Sequence, residues 1–234
     1  MTIDLNCDMG EETGVDDEAL MPLFTSVNIA CGGHAGNEAS MRRTVALALR
    51  HGVAIGAHPG YPDRENFGRA VLPMEHGEVE QTVFEQVRAL ARIAPLRHVK
   101  PHGALYNVAA RDPGVAEAIA RGVRRAAGSV TLVGLAKSVM LHAWRSLGFP
   151  VASEAFADRR YESDGTLRSR VHADALIVDP AEAASHALML IRGGADTLCI
   201  HGDTPGSASI AAAVRERLMR DGVRIAPLQR GDRW

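Results

Sequence analysis

A chain of 234 residues can form one large domain with a sizeable hydrophobic core. Its 28 acidic and 26 basic residues nearly cancel to a net charge of −2, and aromatic residues make up only 4 %; this excludes a basic, base-stacking surface for nucleic acid and gives no attraction to an anionic membrane. No apolar run is long enough to span a bilayer, and the acidic opening MTIDLNCDMGEE lacks a signal-peptide pattern. Three cysteines, Cys7, Cys31 and Cys199, form no CxxC pair. They read as small buried residues of a protein in a reducing, cytoplasmic setting.

In chain order, apolar runs alternate with amphipathic stretches. Strands are expected at 2–7, 26–31, 52–57, 96–101, 129–135, 150–156 and 196–201. Helices are expected at 40–52, 77–94, 113–127, 136–147, 180–193 and 206–221. Gly52 reads as a helix C-cap. Asp112-Pro113 and Asp179-Pro180 read as N-cap followed by proline at the first helical position. About seven strand–helix units predict a parallel sheet wrapped by helices in one domain over residues 1–234. Alternation alone leaves a barrel and an open sheet both standing. No glycine-rich dinucleotide fingerprint follows the first strand, and there is no Walker A motif. The irregular stretch 158–179 reads as a hairpin insert turning at Asp164-Gly165.

The polar residues gather at the ends of these strands. In a parallel α/β fold that is where ligands bind. In DLNCD, Asp4, Asn6 and Asp8 alternate onto one face, which suggests a lined pocket. Asp8 is followed by Glu11 and Glu12, acids that repel one another unless a cation or amide stands nearby. His34, His58, His102 and His201 each follow a strand, a coincidence that favours a functional reading. His51, His76, His98, His142 and His186 sit on helices or strand starts and read as surface or packing residues. The glycines flanking His34 suit a tight turn and a close backbone approach. Lys100 ends the fourth strand, with Glu154 and Asp158 as natural partners. Two chemistries fit such a mouth: water activated by an Asp or His base, or a divalent metal held by Asp8, His34 and His58.

The ordered motifs DLNCDMGE, VNIACGGHAG, HGVAIGAHPGYPD, HVKPHGALYN, EAFADRRYESDGTL and CIHGDTPG resemble those of the LamB/YcsF family, over residues 2 to about 225. The resemblance implies a seven-stranded β/α barrel of the glycoside hydrolase/deacetylase kind. It also implies ATP-dependent opening of 5-oxo-L-proline to L-glutamate, by a chain that works together with B and C partners, which bind most of the ATP. On this basis Asp8 is cast as general base, with His34 and His58 orienting water or holding metal. Lys100 and His102 stabilise the oxyanion or bind the substrate carboxylate. Asn6, Glu11, Asn28, Tyr106, Glu154, Asp158 and Arg159 complete the substrate pocket, and His201 with Asp203 closes it. The chain departs from the family pattern in a short ETGV loop, in Gly32 where Phe is frequent, and in the 172–175 segment. The alternatives are an autonomous metal-dependent lactam hydrolase or deacetylase, and a non-catalytic substrate-binding subunit; homo-oligomerisation is compatible with all three.

Overall fold

In the computed structural model, which describes residues 1–228, seven parallel strands close on themselves. The strands are β1 (Thr2–Met9), β2 (Ser26–Ala30), β3 (Ala54–His58), β4 (His98–Val99), β5 (Thr131–Leu135), β6 (Val151–Phe156) and β7 (Thr197–Cys199). They pair in sequence order, and β1 closes the ring by pairing with both β2 and β7. A barrel, not an open sheet, is therefore the architecture. An unexpected strand, β8 (Arg224–Ile225), pairs with the first residues of β1 through Thr2 and Ile3, below the point where β7 takes over the same edge.

Helices wrap the barrel: α1 (Asp17–Leu20), α2 (Glu38–His51), α3 (His76–Ala91), α4 (Gly103–Ala109), α5 (Pro113–Ala127), α6 (Val139–Ser146), α7 (Pro180–Arg192) and α8 (Ser207–Arg220). The capping chemistry appears as the sequence predicts. Asp112 accepts from the Gly114 and Val115 amides, Asp179 accepts from the Glu182 amide, and Gly52 caps α2 in the left-handed region at φ 66°. Three expectations change. The fourth strand shrinks to two residues, because Pro101 has no N–H to continue a ladder. GALYNVA, where the sequence pattern assigns no helix, is α4. The hairpin insert is reduced to two antiparallel bridges, Arg159 with Leu176 and Tyr161 with Leu167. No described helix is long and apolar enough to cross a membrane.

The alternation along β1 sorts side chains as expected. Ile3, Leu5, Cys7 and Met9 are buried in the hydrophobic core, while Asp4 and Asn6 are equally buried but polar. Asn6 bonds to Glu154 on β6, two strands away, so this face points into the barrel. The outer layer is packed closely where α3 meets α5. A Cβ added at Gly122 would lie 2.5 Å from the Glu80 carbonyl oxygen and 3.1 Å from the Phe84 nitrogen. Trp144 of α6 is fully buried and donates from Nε1 to the Ala116 carbonyl of α5 at 2.8 Å.

Gly122→Ala gains about 1 kcal/mol of helix propensity, but the clash is with backbone that cannot swing aside. A net loss of about 1–3 kcal/mol is expected, read as a lower denaturation midpoint. An unchanged or raised midpoint would contradict the packing described.

Candidate active site

Inside the barrel the polar residues bond to one another, with His98 Nδ1 left without a partner. Asp4 accepts from Thr25, Ser26 and Thr197 at 2.6–2.8 Å; burial raises its pKa, and these bonds pull against that rise. Asn6 Nδ2 donates to Glu154 and Thr197, and its Oδ1 accepts from Asn28 at 2.8 Å. Asn28 also donates to Asp8 at 2.8 Å. His98, read from sequence as a packing residue, belongs to this network. It is 1 % exposed, and its Nε2 donates to Asn28 Oδ1 at 2.7 Å. Burial, then the charge of Lys100, lowers its pKa to about 3, so the ring is neutral. The room it needs comes from Gly56 on β3, where a Cβ would overlap the imidazole.

Lys100 stands above this layer, 2 % exposed. Its Nζ lies 3.0 Å from Asp8 Oδ1 and 3.0 Å from Glu154 Oε1. Burial alone would lower the ammonium pKa, but Asp8 and Glu154 outweigh it and hold it well above the usual lysine value. Burial likewise raises Asp8, yet His58 and Lys100 hold its carboxyl well below the usual range. Glu154 Oε2 accepts from the Tyr106 hydroxyl of α4 at 2.8 Å. The pairing of Lys100 with Glu154 follows the expectation. The pairing with Asp158 does not, because Asp158 is fully buried against β7 and its loop. There it accepts from the His201 amide at 3.0 Å and from the Thr204 hydroxyl at 2.6 Å, with His201 Nδ1 at 3.1 Å.

Beside Asp8 three imidazoles crowd together. His34 and His102 stack with ring centroids 3.6 Å apart and planes 5° apart, and His58 meets both edge-on. Glu11 Oε1 lies 3.2 Å from His34 Nε2 and 3.6 Å from His102 Nδ1. The Glu11 carboxyl is pushed up to about 7 by burial and by the nearby Asp8 charge. Burial and His58 hold His34 down at about 2. The donor atoms of Glu11, His34, His58 and His102 all lie within 4.8 Å of one another. That set differs from the expected Asp8–His34–His58 group: Asp8 is engaged by Lys100 and Asn28, and stands 3.4 Å from His58 Nε2.

The glycines of this region make the crowding possible. A Cβ at Gly60 would lie 2.8 Å from His34 Nδ1, and one at Gly68 would lie 2.7 Å from His34 Cβ. Gln86 of α3 pins the Gly60 turn from behind, accepting from its N–H at 3.1 Å and donating to its carbonyl at 2.7 Å. Nothing in the sequence singles out Gln86, which looks like an ordinary polar helix residue.

A cavity of about 1480 Å³ opens over the site. Asp8, Glu11, His58, Lys100, His102, Tyr106, Arg159, His201 and Asp203 all line it, so most of the predicted residues converge there. Asn6, Asn28 and Glu154 instead form the layer beneath. Asp203 bridges Arg69 at 2.9 Å and Arg170 at 2.8 Å on the rim, which ties the insert to the loop after β3. Arg159 is 6 % exposed, donates to the Arg168 carbonyl, and leaves its Nε without a partner.

A family model described as the LamB/YcsF family matches residues 3–233. The chain belongs to the LamB/YcsF family. It is 51 % identical to the 5-oxoprolinase A subunit of Chloroflexus aggregans, covering 96 % of this chain and 98 % of that one. A lactam utilization protein from Thermus thermophilus superposes with a TM-score of 0.90 at 40 % identity, covering 97 % of this chain and all of that one. The catalytic domain of a peptidoglycan N-acetylglucosamine deacetylase from Eubacterium rectale shares only the fold, with a TM-score of 0.53 at 8 % identity over 97 % and 88 % of the two chains.

Lys100→Met removes the cation between two buried carboxylates. A loss of about 3–5 kcal/mol near neutral pH is expected, the cost of breaking a buried pair from one side. In the native chain the depressed Asp8 pKa contributes stability above the unfolded carboxylate value of about 3.9, and that contribution fades as pH falls. The deficit of the variant should therefore shrink on acidification, because protonation relieves the stranded carboxylates. Denaturation midpoints of both proteins between neutral and acidic pH measure this; a deficit independent of pH would contradict it.

Proposed function

We propose that this chain is the ring-opening component of an ATP-consuming 5-oxoprolinase, converting 5-oxo-L-proline to L-glutamate with B and C partner subunits in the cytoplasm. The observation that carries the reading is the Lys100 ammonium held at the cavity floor beside an ionised Asp8. A five-membered lactam is a poor electrophile with a poor leaving nitrogen. Its opening needs water delivered to the carbonyl carbon, charge stabilised on the oxygen, and a proton returned to the nitrogen as the C–N bond breaks. Asp8 is assigned as the proton acceptor for water. Lys100 is assigned to the developing negative charge, where a fixed cation in a water-poor site acts most strongly. Asp8 is also assigned to return the proton it takes from water to the ring nitrogen. Arg159, with a buried and unpartnered Nε, is assigned to the substrate carboxylate. His201, oriented by Asp158, and Asp203, anchored by two arginines, frame the entrance.

The sequence carries no Walker A pattern, which supports leaving ATP-driven activation of the lactam to the partners. Relatives that carry the name of the 5-oxoprolinase A subunit support the presence of partner subunits. The cluster of Glu11 and three histidines keeps a second reading alive, an autonomous hydrolase needing neither ATP nor partners.

One assay separates them: glutamate release from 5-oxo-L-proline and ATP, with this chain alone and with the B and C subunits added. Release only from the mixture is expected. Release by this chain alone without ATP consumption would overturn the reading in favour of the autonomous hydrolase. Within the mixture, Asp8→Asn should lower the rate at least about 100-fold while circular dichroism stays native. Undiminished turnover would remove Asp8 from the chemistry.

A further inference from the structure

We infer that Glu11, His34, His58 and His102 form a divalent metal site of the zinc class. Backbone carbonyls fix the tautomers of two of the rings. His58 Nδ1 lies 2.7 Å from the Lys100 carbonyl oxygen, and His102 Nε2 lies 2.9 Å from the Phe67 carbonyl oxygen. A carbonyl only accepts, so both ring nitrogens must carry hydrogen and donate. With one hydrogen on each ring, lone pairs are left on His58 Nε2 and His102 Nδ1. Those two atoms face each other 3.0 Å apart, with both rings buried. Two lone pairs in such contact repel unless a cation joins them.

The cation is a proton or a metal, and the surroundings favour the metal. Two further donor atoms, Glu11 Oε1 and His34 Nε2, stand 3.2 Å apart in the same cluster. A single proton needs two acceptors, not four. With metal–ligand bonds of about 2.0–2.1 Å, neighbouring ligand atoms lie about 3.0–3.4 Å apart. Three of the six separations among these atoms, 3.0, 3.2 and 3.6 Å, lie at or near that edge length, and the donor atoms of the four residues all lie within 4.8 Å of one another. Three imidazoles with one carboxylate is a donor set suited to zinc and its neighbours. Carbonyl acceptors behind two of the rings are the outer-shell partners that orient metal-bound histidines. Because His34 and His102 lie in parallel planes with centroids 3.6 Å apart, one of the two rings turns out of the stack when both hold the ion. A divalent ion here would supply Lewis acidity beside the Asp8–Lys100 pair.

The full-length, tag-free chain, stripped with chelator, should be titrated calorimetrically with Zn²⁺, and with Co²⁺ while its visible spectrum is recorded. One equivalent of each per chain is expected, with d–d bands of a nitrogen-rich site. His102→Asn should abolish saturation at one equivalent. Glu11→Gln, at the outer edge of the cluster and tolerable to the fold even if the histidine variant is not, should weaken binding at least about tenfold. His172→Ala, an exposed residue of the insert, should bind as the parent does. Absence of saturable binding, or parental binding by both cluster variants, would overturn the site and leave a shared proton as the joining cation. Metal binding is read without turnover, so this result stands apart from the glutamate assay.

Discussion

The structure turns on one buried ammonium. Closing seven parallel strands forces every second side chain of each strand into a narrow interior. In this barrel aliphatic layers do not fill the interior beneath the cavity. Asp4, Asn6, Asn28, His98 and Glu154 occupy it, and each is buried. Burying such a layer costs free energy unless its polar groups find partners, and of these side chains His98 Nδ1 is left without one. Lys100 makes this balance possible, because it joins Glu154 of the lower layer to Asp8 at the cavity floor. A residue that completes the hydrogen-bonding of the core is thereby also the charge presented to the cavity.

On one side of Lys100 the loops after β1, β2, β3 and β4 pack Glu11 and three imidazoles into a volume that most backbones would not allow. Glycines at 60 and 68 permit that approach, and Gln86 holds the Gly60 turn from the helix behind. On the other side, Asp158, His201 and Thr204 form a rigid polar bracket, and the Arg69–Asp203–Arg170 bridge ties the insert over the mouth. The site is therefore built from six of the seven strand ends, on rigid elements below and on shorter irregular segments above.

Much of this is legible in the sequence, for physical reasons that can be named. The period-two alternation of Asp4, Asn6 and Asp8 marks an inward polar stripe, because a strand in a parallel sheet has no solvent face to hold such residues. Prolines after Asp112 and Asp179 mark helix starts. Four histidines after strands mark the mouth, and the ordered motifs mark the family and its barrel. What the sequence hides is long-range. His98 looks like a strand-start packing residue, yet Gly56 on the neighbouring strand makes room for its ring inside the barrel. Glu11 sits in a loop with no spacing signal, so its convergence with three histidines needs the fold. Asp158 and Glu154 look alike as partners for Lys100. Only the pairing of β6 with β7 shows that one belongs to Lys100 and the other to His201. Helix α4 escapes a pattern reading because Gly103, at φ 53°, looks like a loop residue, although it is the first residue of the helix.

The central claim is that the lactam binds over Lys100 and Asp8 at the barrel mouth. The most direct measurement is a crystal structure of the chain with 5-oxo-L-proline. The account predicts the ring in the cavity, with its carbonyl oxygen on the Lys100 ammonium and its carboxylate on Arg159. A ligand seated elsewhere on the molecule, with Lys100 still closed upon Asp8 and Glu154 and untouched, would contradict it.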